Sequence, residues 1–228
     1  GNFLTLHFMQ IFLDTADVES VKAYVRLGII DGVTTNPSLM AKEGKDPKEV
    51  IMQMTKIVDG PISCEVVAED AETMFKQAEK VSAWHKNIYA KIPLTAEGIR
   101  AVKMCTEAGI KTNVTLCFSL NQALMAAKAG ATLVSPFVGR LDDVGEEGMD
   151  LIRDIVEAYN YYGYETKVLA ASLRHPHHVR SCILAGADIV TIPPQILDKM
   201  VKHPLTDKGL ASFNTDWENC EACKSLYT

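Results

Sequence analysis

Short apolar runs rich in β-branched residues alternate with longer amphipathic stretches along the whole chain. Apolar runs of this kind predict buried strands, and the stretches between them predict helices. Eight strands are predicted in this way: Ile11–Asp14, Gly32–Thr35, Ile62–Val67, Ile88–Ile92, Thr112–Leu116, Leu133–Val138, Lys167–Ala171 and Ile189–Ile192.

Strands that alternate with helices indicate βαβ units and a parallel sheet. Eight units within 228 residues predict an α/β fold, a single-domain (β/α)₈ TIM barrel rather than an open doubly wound sheet. No linker or low-complexity segment interrupts residues 9–228, so they are predicted to form one domain with an extra C-terminal helical tail from about Leu197. Residues 1–8 precede Met9 and lack the features of a signal peptide, so they are interpreted as an upstream or artificial leader.

Capping residues support the predicted boundaries of the helices. Asp46-Pro47-Lys48-Glu49 offers an N-cap, a proline at the first helical position and a glutamate at the third. Ser119 and Gln122 repeat the capping-box spacing. Three glycines each end a helical run shortly before a strand, so a left-handed backbone is predicted at Gly109, Gly130 and Gly186.

Composition and charge narrow the classes of partner. The chain is 47% hydrophobic and 23% charged, which suits one sizeable core. Its net charge is −6 and it has no Lys/Arg-rich block, so neither nucleic acid nor a membrane surface is expected as a partner. The apolar stretches are also too short to cross a membrane.

Six scattered cysteines suit reduced thiols and predict a cytoplasmic protein. Cys220 and Cys223 form a C-x-x-C pair without the second ligand pair that a zinc site needs. His175, His177 and His178 surround a proline at a predicted helix start, which indicates a solvated turn. No metal is therefore predicted.

Lys91 stands inside Ile88–Leu94, a segment that otherwise predicts a buried strand. A lysine with an ordinary pKa is neutral in only about one molecule in 2,500 at pH 7. Burial favours the neutral amine, and a pKa lower by about three units would cost the charged form roughly 4 kcal/mol and yield a nucleophile. The alternative is a lysine at a strand end whose ammonium reaches solvent.

Polar residues follow or end most of the predicted strands, which is where the active site lies in barrels of this kind. Asp14, Asn36 and Ser172 could instead cap the following helices, but the joint occurrence of so many polar groups around one amine favours an active site. The residues concerned are Asp14, Thr34, Asn36, Glu65, Lys91, Thr115, Ser135, Ser172 and Arg174.

This set suits carbon–carbon bond cleavage through a Schiff base. A neutral lysine attacks a ketone, and the resulting iminium accepts the electrons of the broken bond. Asp14 and Glu65 can supply the proton transfers around that step. Either carboxylate would also raise the pKa of Lys91 and so oppose its activation.

An anion site is predicted beside these groups. Arg140 follows the sixth strand, and Ser172 and Arg174 follow the seventh, where a helix N-terminus can add backbone N–H groups. The alternative is that Arg140 forms surface ion pairs with Asp142 and Asp143.

Five segments of the chain resemble the short-form transaldolases, a group that also contains the fructose-6-phosphate aldolases. The resemblance extends from Met9 to about Trp217, and its Val-Thr-Thr-Asn-Pro and Lys-Ile-Pro elements are specific. The segments are Phe12–Ala16, Gly32–Ser38, Lys91–Thr95, Ser135–Arg140 and Ala170–Ser172.

The resemblance implies a TIM barrel that needs no cofactor and carries its Schiff-base lysine, here Lys91, on the fourth strand. It implies that Asp14 is the general acid/base and that Glu65 and Thr115 hold the water that relays protons. The implied substrate-binding residues are Thr34 and Asn36 of the second-strand motif, Ser135, Phe137, and Arg140, Ser172 and Arg174 at the phosphate.

Two positions separate the branches of this family. The aldolases carry glutamine where Glu65 stands and tyrosine where Phe137 stands, whereas transaldolases carry the residues found here. The resemblance therefore implies a transaldolase of the pentose phosphate pathway, which moves dihydroxyacetone from sedoheptulose 7-phosphate to glyceraldehyde 3-phosphate. The products are erythrose 4-phosphate and fructose 6-phosphate.

Three alternatives remain at this point. The nearest is a fructose-6-phosphate aldolase that releases free dihydroxyacetone. A deoxyribose-phosphate-type aldolase is also a lysine barrel, although the Thr-Thr-Asn-Pro motif argues against it. A non-catalytic sugar-phosphate-binding barrel would leave the combination of Asp14, Glu65 and Lys91 unexplained.

The expected partners are sugar-phosphate substrates and further copies of the chain. Short-form members are ring-forming homo-oligomers, typically decamers, whose C-terminal helix reaches a neighbour. Phe213 and Trp217, four residues apart in the predicted tail, would suit that contact or packing on the barrel itself.

Overall fold

The computed structural model describes residues 8–228. The predicted leader falls mainly on residues 1–7, which lie outside the described residues. Eight strands were found at the predicted places: β1 Gln10–Asp14, β2 Gly32–Thr34, β3 Ile62–Glu65, β4 Ile88–Pro93, β5 Thr112–Cys117, β6 Leu133–Pro136, β7 Lys167–Ala170 and β8 Ile189–Ile192.

The strands are parallel and close into a barrel in sequence order, with β8 paired to β1. The predicted single-domain (β/α)₈ barrel is therefore confirmed. The helices are α1 Val18–Val25, α2 Pro37–Glu43, α3 Pro47–Ile57, α4 Ala71–Ser82, α5 Ala96–Glu107, α6 Leu120–Lys128, α7 Val138–Asp143, α8 Gly148–Tyr162, α9 Pro176–Ala185, α10 Pro194–Val201, α11 Pro204–Glu218 and α12 Glu221–Lys224, followed by a 3₁₀ turn, Ser225–Tyr227.

Strand register places four of the predicted site residues on one face of the sheet. Asp14 of β1 is in register with Thr34 of β2, and Glu65 of β3 is in register with Lys91 of β4. Thr34 is also in register with Ser63, two residues before Glu65. Because residues in register on parallel neighbours, and residues two apart on one strand, point to the same face, both pairs share a face at the carboxyl ends of their strands.

The core has two parts. A large apolar cluster packs between the strands and the surrounding helices. A smaller cluster, which includes Phe12 and Leu169, fills the barrel interior. Ser63, Asn113 and Ser135 are also buried inside the barrel, where they form the hydrogen-bonded network described below.

The predicted helix caps are present. Asp46 accepts a hydrogen bond from the Lys48 backbone N–H at 3.2 Å, and Ser119 Oγ accepts one from the Gln122 N–H at 3.1 Å. The three glycines at the predicted helix ends, Gly109, Gly130 and Gly186, have left-handed φ angles of +74°, +86° and +81°.

The C-terminal tail begins later than predicted. Leu197 lies inside α10 and is buried against the barrel, so the tail starts with α11. Phe213 and Trp217 of α11 are 72% and 41% exposed, so they do not bury themselves on the barrel. Cys220 and Cys223 form a disulfide, which corrects the expectation of reduced thiols for this pair.

No helix among residues 8–228 is both long enough and apolar enough to cross a membrane. In the same part of the chain, no group of three or more His, Cys, Asp or Glu side chains is arranged to hold a metal ion.

Candidate active site

A cavity of about 520 Å³ opens at the carboxyl ends of the strands. It is lined by nine of the eleven predicted site residues: Asp14, Thr34, Asn36, Lys91, Ser135, Phe137, Arg140, Ser172 and Arg174. Glu65 and Thr115, the two predicted members of the water site, do not line it.

Lys91 lies in the cavity wall with only 6% of its surface exposed. Its Nζ donates a hydrogen bond to the Thr35 carbonyl at 2.8 Å. Burial lowers the pKa of Lys91, and although Glu65 and Asp14 oppose that shift, the net direction remains downward. This side chain is therefore a buried amine and not a lysine that extends to solvent.

Asp14 faces the same cavity from β1. Burial raises the pKa of this carboxyl, while the charge of Lys91 and a hydrogen bond from Thr34 partly offset the rise. Thr34 Oγ1 donates to Asp14 Oδ1 at 2.9 Å. The cap of α1 is Asp17, so the alternative role of Asp14 as a helix cap is wrong.

Glu65 lies next to Lys91 by strand register but borders a neighbouring groove formed by α2, the loop after it and the end of β3. Burial raises the pKa of Glu65, and the charges of Lys91 and Arg140 act against that rise. Thr115 is buried on β5. Glu65 is thus electrostatically coupled to the amine although it lies outside the main cavity.

Ser135 is held by a buried polar network inside the barrel. Its hydroxyl donates to Asn113 Oδ1 at 2.6 Å, and Asn113 Nδ2 donates to Ser63 Oγ at 3.0 Å. Asn113 and Ser63 were not predicted as site residues. Each is a polar residue in a strand that is otherwise mostly apolar, and this feature of the sequence could have indicated them.

Asn36 both caps a helix and lines the cavity. Its side chain accepts a hydrogen bond from the Leu39 backbone N–H at 2.8 Å and caps α2. It also lines the cavity. The cap holds the amide in a fixed orientation at the cavity wall.

The cationic side of the cavity is formed by the segments that follow β6 and β7. The Arg140 guanidinium lies 5.0 Å from the centre of the Phe137 ring. Arg174 forms a salt bridge with Asp143 at 2.8 Å, while Asp142 pairs with His178. The acids proposed as alternative partners of Arg140 are therefore occupied by other residues.

The backbone holds these two segments together. Ser172 has a left-handed φ of +56°, and its carbonyl accepts a hydrogen bond from the Gly139 N–H at 2.7 Å. His175, not Ser172, caps α9. Ser172 is therefore free of the capping role and lines the cavity.

His178 corrects the expectation of a solvated histidine turn. It is buried, its Nε2 lies 2.7 Å from Asp142 Oδ2, and its Nδ1 accepts from the Arg174 backbone N–H at 3.0 Å. A hydrogen at Nε2 satisfies both contacts. His178 thus anchors Arg174 and the end of α7 to α9.

The sequence model of the family described as Transaldolase/Fructose-6-phosphate aldolase matches residues 11–224. The chain belongs to this family. It is 56% identical over 210 residues to a protein of Alkaliphilus metalliredigens named "Probable transaldolase", a match that covers 92% of this chain and 98% of that protein. A Methanococcus maripaludis protein of the same name is 57% identical over 210 residues, with the same coverage.

Among solved structures, thiamine phosphate pyrophosphorylase from Pyrococcus furiosus has a TM-score of 0.55 with this chain at 15% identity. The match covers 84% of this chain and 93% of the other. At this identity the likeness concerns the barrel fold alone.

The cavity of this family member also contains polar residues that were not predicted. Thr191 lies near the carboxyl end of the eighth strand. The other site residues were predicted because they are polar and lie at strand ends, and Thr191 could have been predicted in the same way. Gln195 and Lys199 lie on α10, where only closure of the barrel brings them to the cavity.

Proposed function

We propose that the protein is a transaldolase that transfers a dihydroxyacetone unit from sedoheptulose 7-phosphate to glyceraldehyde 3-phosphate through a Schiff base on Lys91. The observation that carries this proposal is the buried amine of Lys91 in the wall of a polar cavity. Membership of the family and the similarity to proteins named transaldolase support it.

Lys91 is the nucleophile in this proposal. Burial lowers the pKa of Lys91, so a larger fraction of the amine is neutral and able to attack the ketone of the donor sugar. Loss of water gives an iminium. When the carbon–carbon bond breaks, the iminium takes up the electron pair and becomes an enamine.

Asp14 accepts the proton of the donor hydroxyl whose carbon becomes an aldehyde, and it returns a proton when the acceptor sugar adds to the enamine. Burial raises the pKa of Asp14, which brings the carboxyl closer to the pH at which it can both accept and donate. Its hydrogen bond from Thr34 supports a fixed orientation for both transfers.

Glu65 and Thr115 are proposed to hold a water that carries protons to and from the Schiff base. The electrostatic coupling of Glu65 to Lys91 supports this role. Asn36 and Ser135 are proposed to contact the dihydroxyacetone part. The substrate phosphate is assigned to Arg140, Ser172 and Arg174, where guanidinium groups can form charge-assisted hydrogen bonds with phosphate oxygens.

Phe137 favours transfer over release. It lies in the cavity wall and has no hydroxyl that could donate a proton to the enamine. The enamine should therefore persist until an acceptor aldehyde arrives. For the same reason, no separate fructose-6-phosphate aldolase function is proposed.

The protein is also proposed to act in the pentose phosphate pathway, in the cytoplasm, as a homo-oligomer, with a decamer as the expected size. Four free cysteines, three of them buried, support a reducing compartment, whereas the Cys220–Cys223 disulfide counts against it. The exposed aromatic side chains of α11 support self-association, because large apolar groups in solvent favour burial against a partner.

The proposal is tested with fructose 6-phosphate in the presence and absence of erythrose 4-phosphate, with free dihydroxyacetone and glyceraldehyde 3-phosphate monitored separately. Turnover should require the acceptor and release little dihydroxyacetone. Phe137→Tyr should raise the release of dihydroxyacetone. Comparable turnover of the wild type without acceptor would make the protein an aldolase instead.

A further inference from the structure

Thr191 is joined to Asp14 through a chain of hydroxyl groups. Thr191 lies on β8, is only 2% exposed, and its Oγ1 forms a hydrogen bond with Thr34 Oγ1 on β2. Thr34 in turn donates to Asp14 Oδ1 on β1 at 2.9 Å. All three side chains line the cavity.

The protonation state of Asp14 determines in which direction the hydrogen bonds between these three side chains run. An ionised carboxylate only accepts hydrogen bonds, and each threonine hydroxyl has one proton to donate. When Asp14 is ionised, the proton of Thr34 is used for Asp14, so Thr191 must donate to Thr34. When Asp14 is protonated, the chain can reverse, with Asp14 donating to Thr34 and Thr34 donating to Thr191.

We propose that Thr191 is a positioning residue for Asp14, because its hydroxyl directs the proton of Thr34 towards the carboxylate and so sets the orientation and proton affinity of Asp14. The inference deepens the proposed function and rests on it for the acid/base role of Asp14. A donor at Thr34 polarises that hydroxyl and strengthens the hydrogen bond that Thr34 gives to the carboxylate.

The charges around Asp14 do not depend on Thr191. Lys91 acts on Asp14 from β4, and Glu65 on β3 acts on Lys91 in turn. The remaining cations of the cavity wall are Arg140 on α7, Arg174 before α9 and Lys199 on α10. Because replacement of Thr191 by valine removes a hydroxyl and no charge, a change in the titration of Asp14 would report on the hydrogen-bond chain.

The first test follows the carboxyl carbon of Asp14 by nuclear magnetic resonance of ¹³C-aspartate-labelled protein as a function of pH. Asp14→Asn identifies the signal. The variants are Thr191→Val, which removes the hydroxyl, and Thr191→Ser, which keeps it. Thr166→Val is the matched control, because Thr166 is a buried threonine whose hydroxyl donates to the Ala131 carbonyl and which does not line the cavity.

The titration midpoint of Asp14 should move to higher pH in Thr191→Val, because hydrogen bonds to the charged form are stronger than those to the neutral form. It should stay at the wild-type value in Thr191→Ser and Thr166→Val. An unchanged midpoint in Thr191→Val would reject the proposal. So would equal shifts in the valine and serine variants, because these would indicate a steric effect.

The second test measures kcat and KM against pH for the same variants. Thr191→Val should lower kcat by about tenfold, a part of the 10²–10⁴-fold that acid/base catalysis typically contributes, and should move the acidic limb of the profile to higher pH. Thr191→Ser should restore most of the rate. A fall in kcat with an unmoved acidic limb would point to a structural role and count against the proposal.

The two tests separate this inference from the proposed function. The resonance measurement needs no substrate, so it is decisive even for an inactive protein. A wild type without acceptor-dependent turnover would reject the proposed function, whereas an active wild type with an unshifted Thr191→Val midpoint would reject only the role of Thr191.

Discussion

Lys91 combines two opposing influences at the scale of a single residue. Burial lowers the pKa of its amine, while the nearby carboxylates of Glu65 and Asp14 raise it. The same carboxylates are needed for proton transfer in the proposed reaction. The burial of the amine therefore counteracts the two carboxylates that the proposed reaction requires near it.

Replacement of Lys91 by alanine should abolish the adduct that borohydride traps with fructose 6-phosphate. Turnover should also be abolished, because the variant lacks the amine that forms the covalent intermediate. Mass spectrometry of the reduced protein measures the adduct. Lys103→Ala, at an exposed lysine on α5, is the control and should still be trapped. An adduct on Lys91→Ala would contradict the assignment.

Glu65→Gln should lower the pKa of Lys91 further, because the Glu65 charge stabilises the ammonium form. A lower pKa means that the amine becomes neutral, and hence reactive, at lower pH. The rate of reductive methylation of Lys91 against pH, followed by peptide mass spectrometry, measures the midpoint. Glu69→Gln, at an exposed acid in the loop after β3, should leave it unchanged. A midpoint that rises in Glu65→Gln would show that the assumed coupling has the wrong sign.

At the scale of elements, the two segments after β6 and β7 depend on each other. Gly139 in α7 donates its N–H to the Ser172 carbonyl, and His178 of α9 holds both Asp142 and the Arg174 backbone. These contacts place the two arginines of the proposed phosphate site on one side of the cavity. The proposed phosphate site therefore depends on a pair of segments and not on one element alone.

Gly139→Ala should disturb this pair. A Cβ at this position would lie 2.4 Å from the Ser172 carbonyl oxygen and 2.5 Å from Arg174 Nε, so the backbone has to move. We expect a loss of about 2 kcal/mol of unfolding free energy, within the usual range for steric strain at a packed site, together with a higher KM for phosphorylated substrates.

Gly209→Ala is the matched control for that prediction. Gly209 lies inside α11, and a Cβ added there would meet no neighbouring atom within 4 Å, so alanine should stabilise the helix by about 0.5–1 kcal/mol. Urea denaturation and steady-state kinetics measure both variants. Equal stability changes for the two glycine variants would show that a Cβ at position 139 is accommodated without strain.

At the scale of the whole molecule, the barrel is well packed while the tail is not. The barrel interior and the layer between strands and helices are buried, whereas α11 has no buried residue. A helix of this length that keeps its aromatic side chains in solvent gains little from tertiary packing. This arrangement is what supports the proposed self-association.

Phe213→Asp should reduce the mass of the assembly, because it places a charge on the exposed apolar surface of α11. Size-exclusion chromatography with light scattering measures the mass against the 25.0 kDa of one chain. Thr206→Asp, at an exposed polar position of the same helix, should leave the mass unchanged. A wild type that elutes as a single chain would contradict the proposed homo-oligomer.

The sequence by itself determined the eight strands, their order and most of the polar residues at their carboxyl ends. These features depend on neighbours in the chain: apolar runs define strands, and glycines such as Gly109 and Gly186 end helices where a left-handed backbone is needed. The family resemblance added expected roles for the polar residues, and the match to the family's sequence model confirmed the family.

Only the tertiary structure decided how distant side chains are paired. Thr191 forms a hydrogen bond with Thr34, which lies 157 positions away in the sequence. Asp142 pairs with His178, 36 positions away, and not with Arg140. The start of the tail was likewise decided by packing, because Leu197 is buried against the barrel. The contact of Thr191 with Thr34 depends on barrel closure, which brings β8 beside β1, and that of Asp142 with His178 depends on the pairing of β6 with β7. The local sequence pattern does not specify either arrangement.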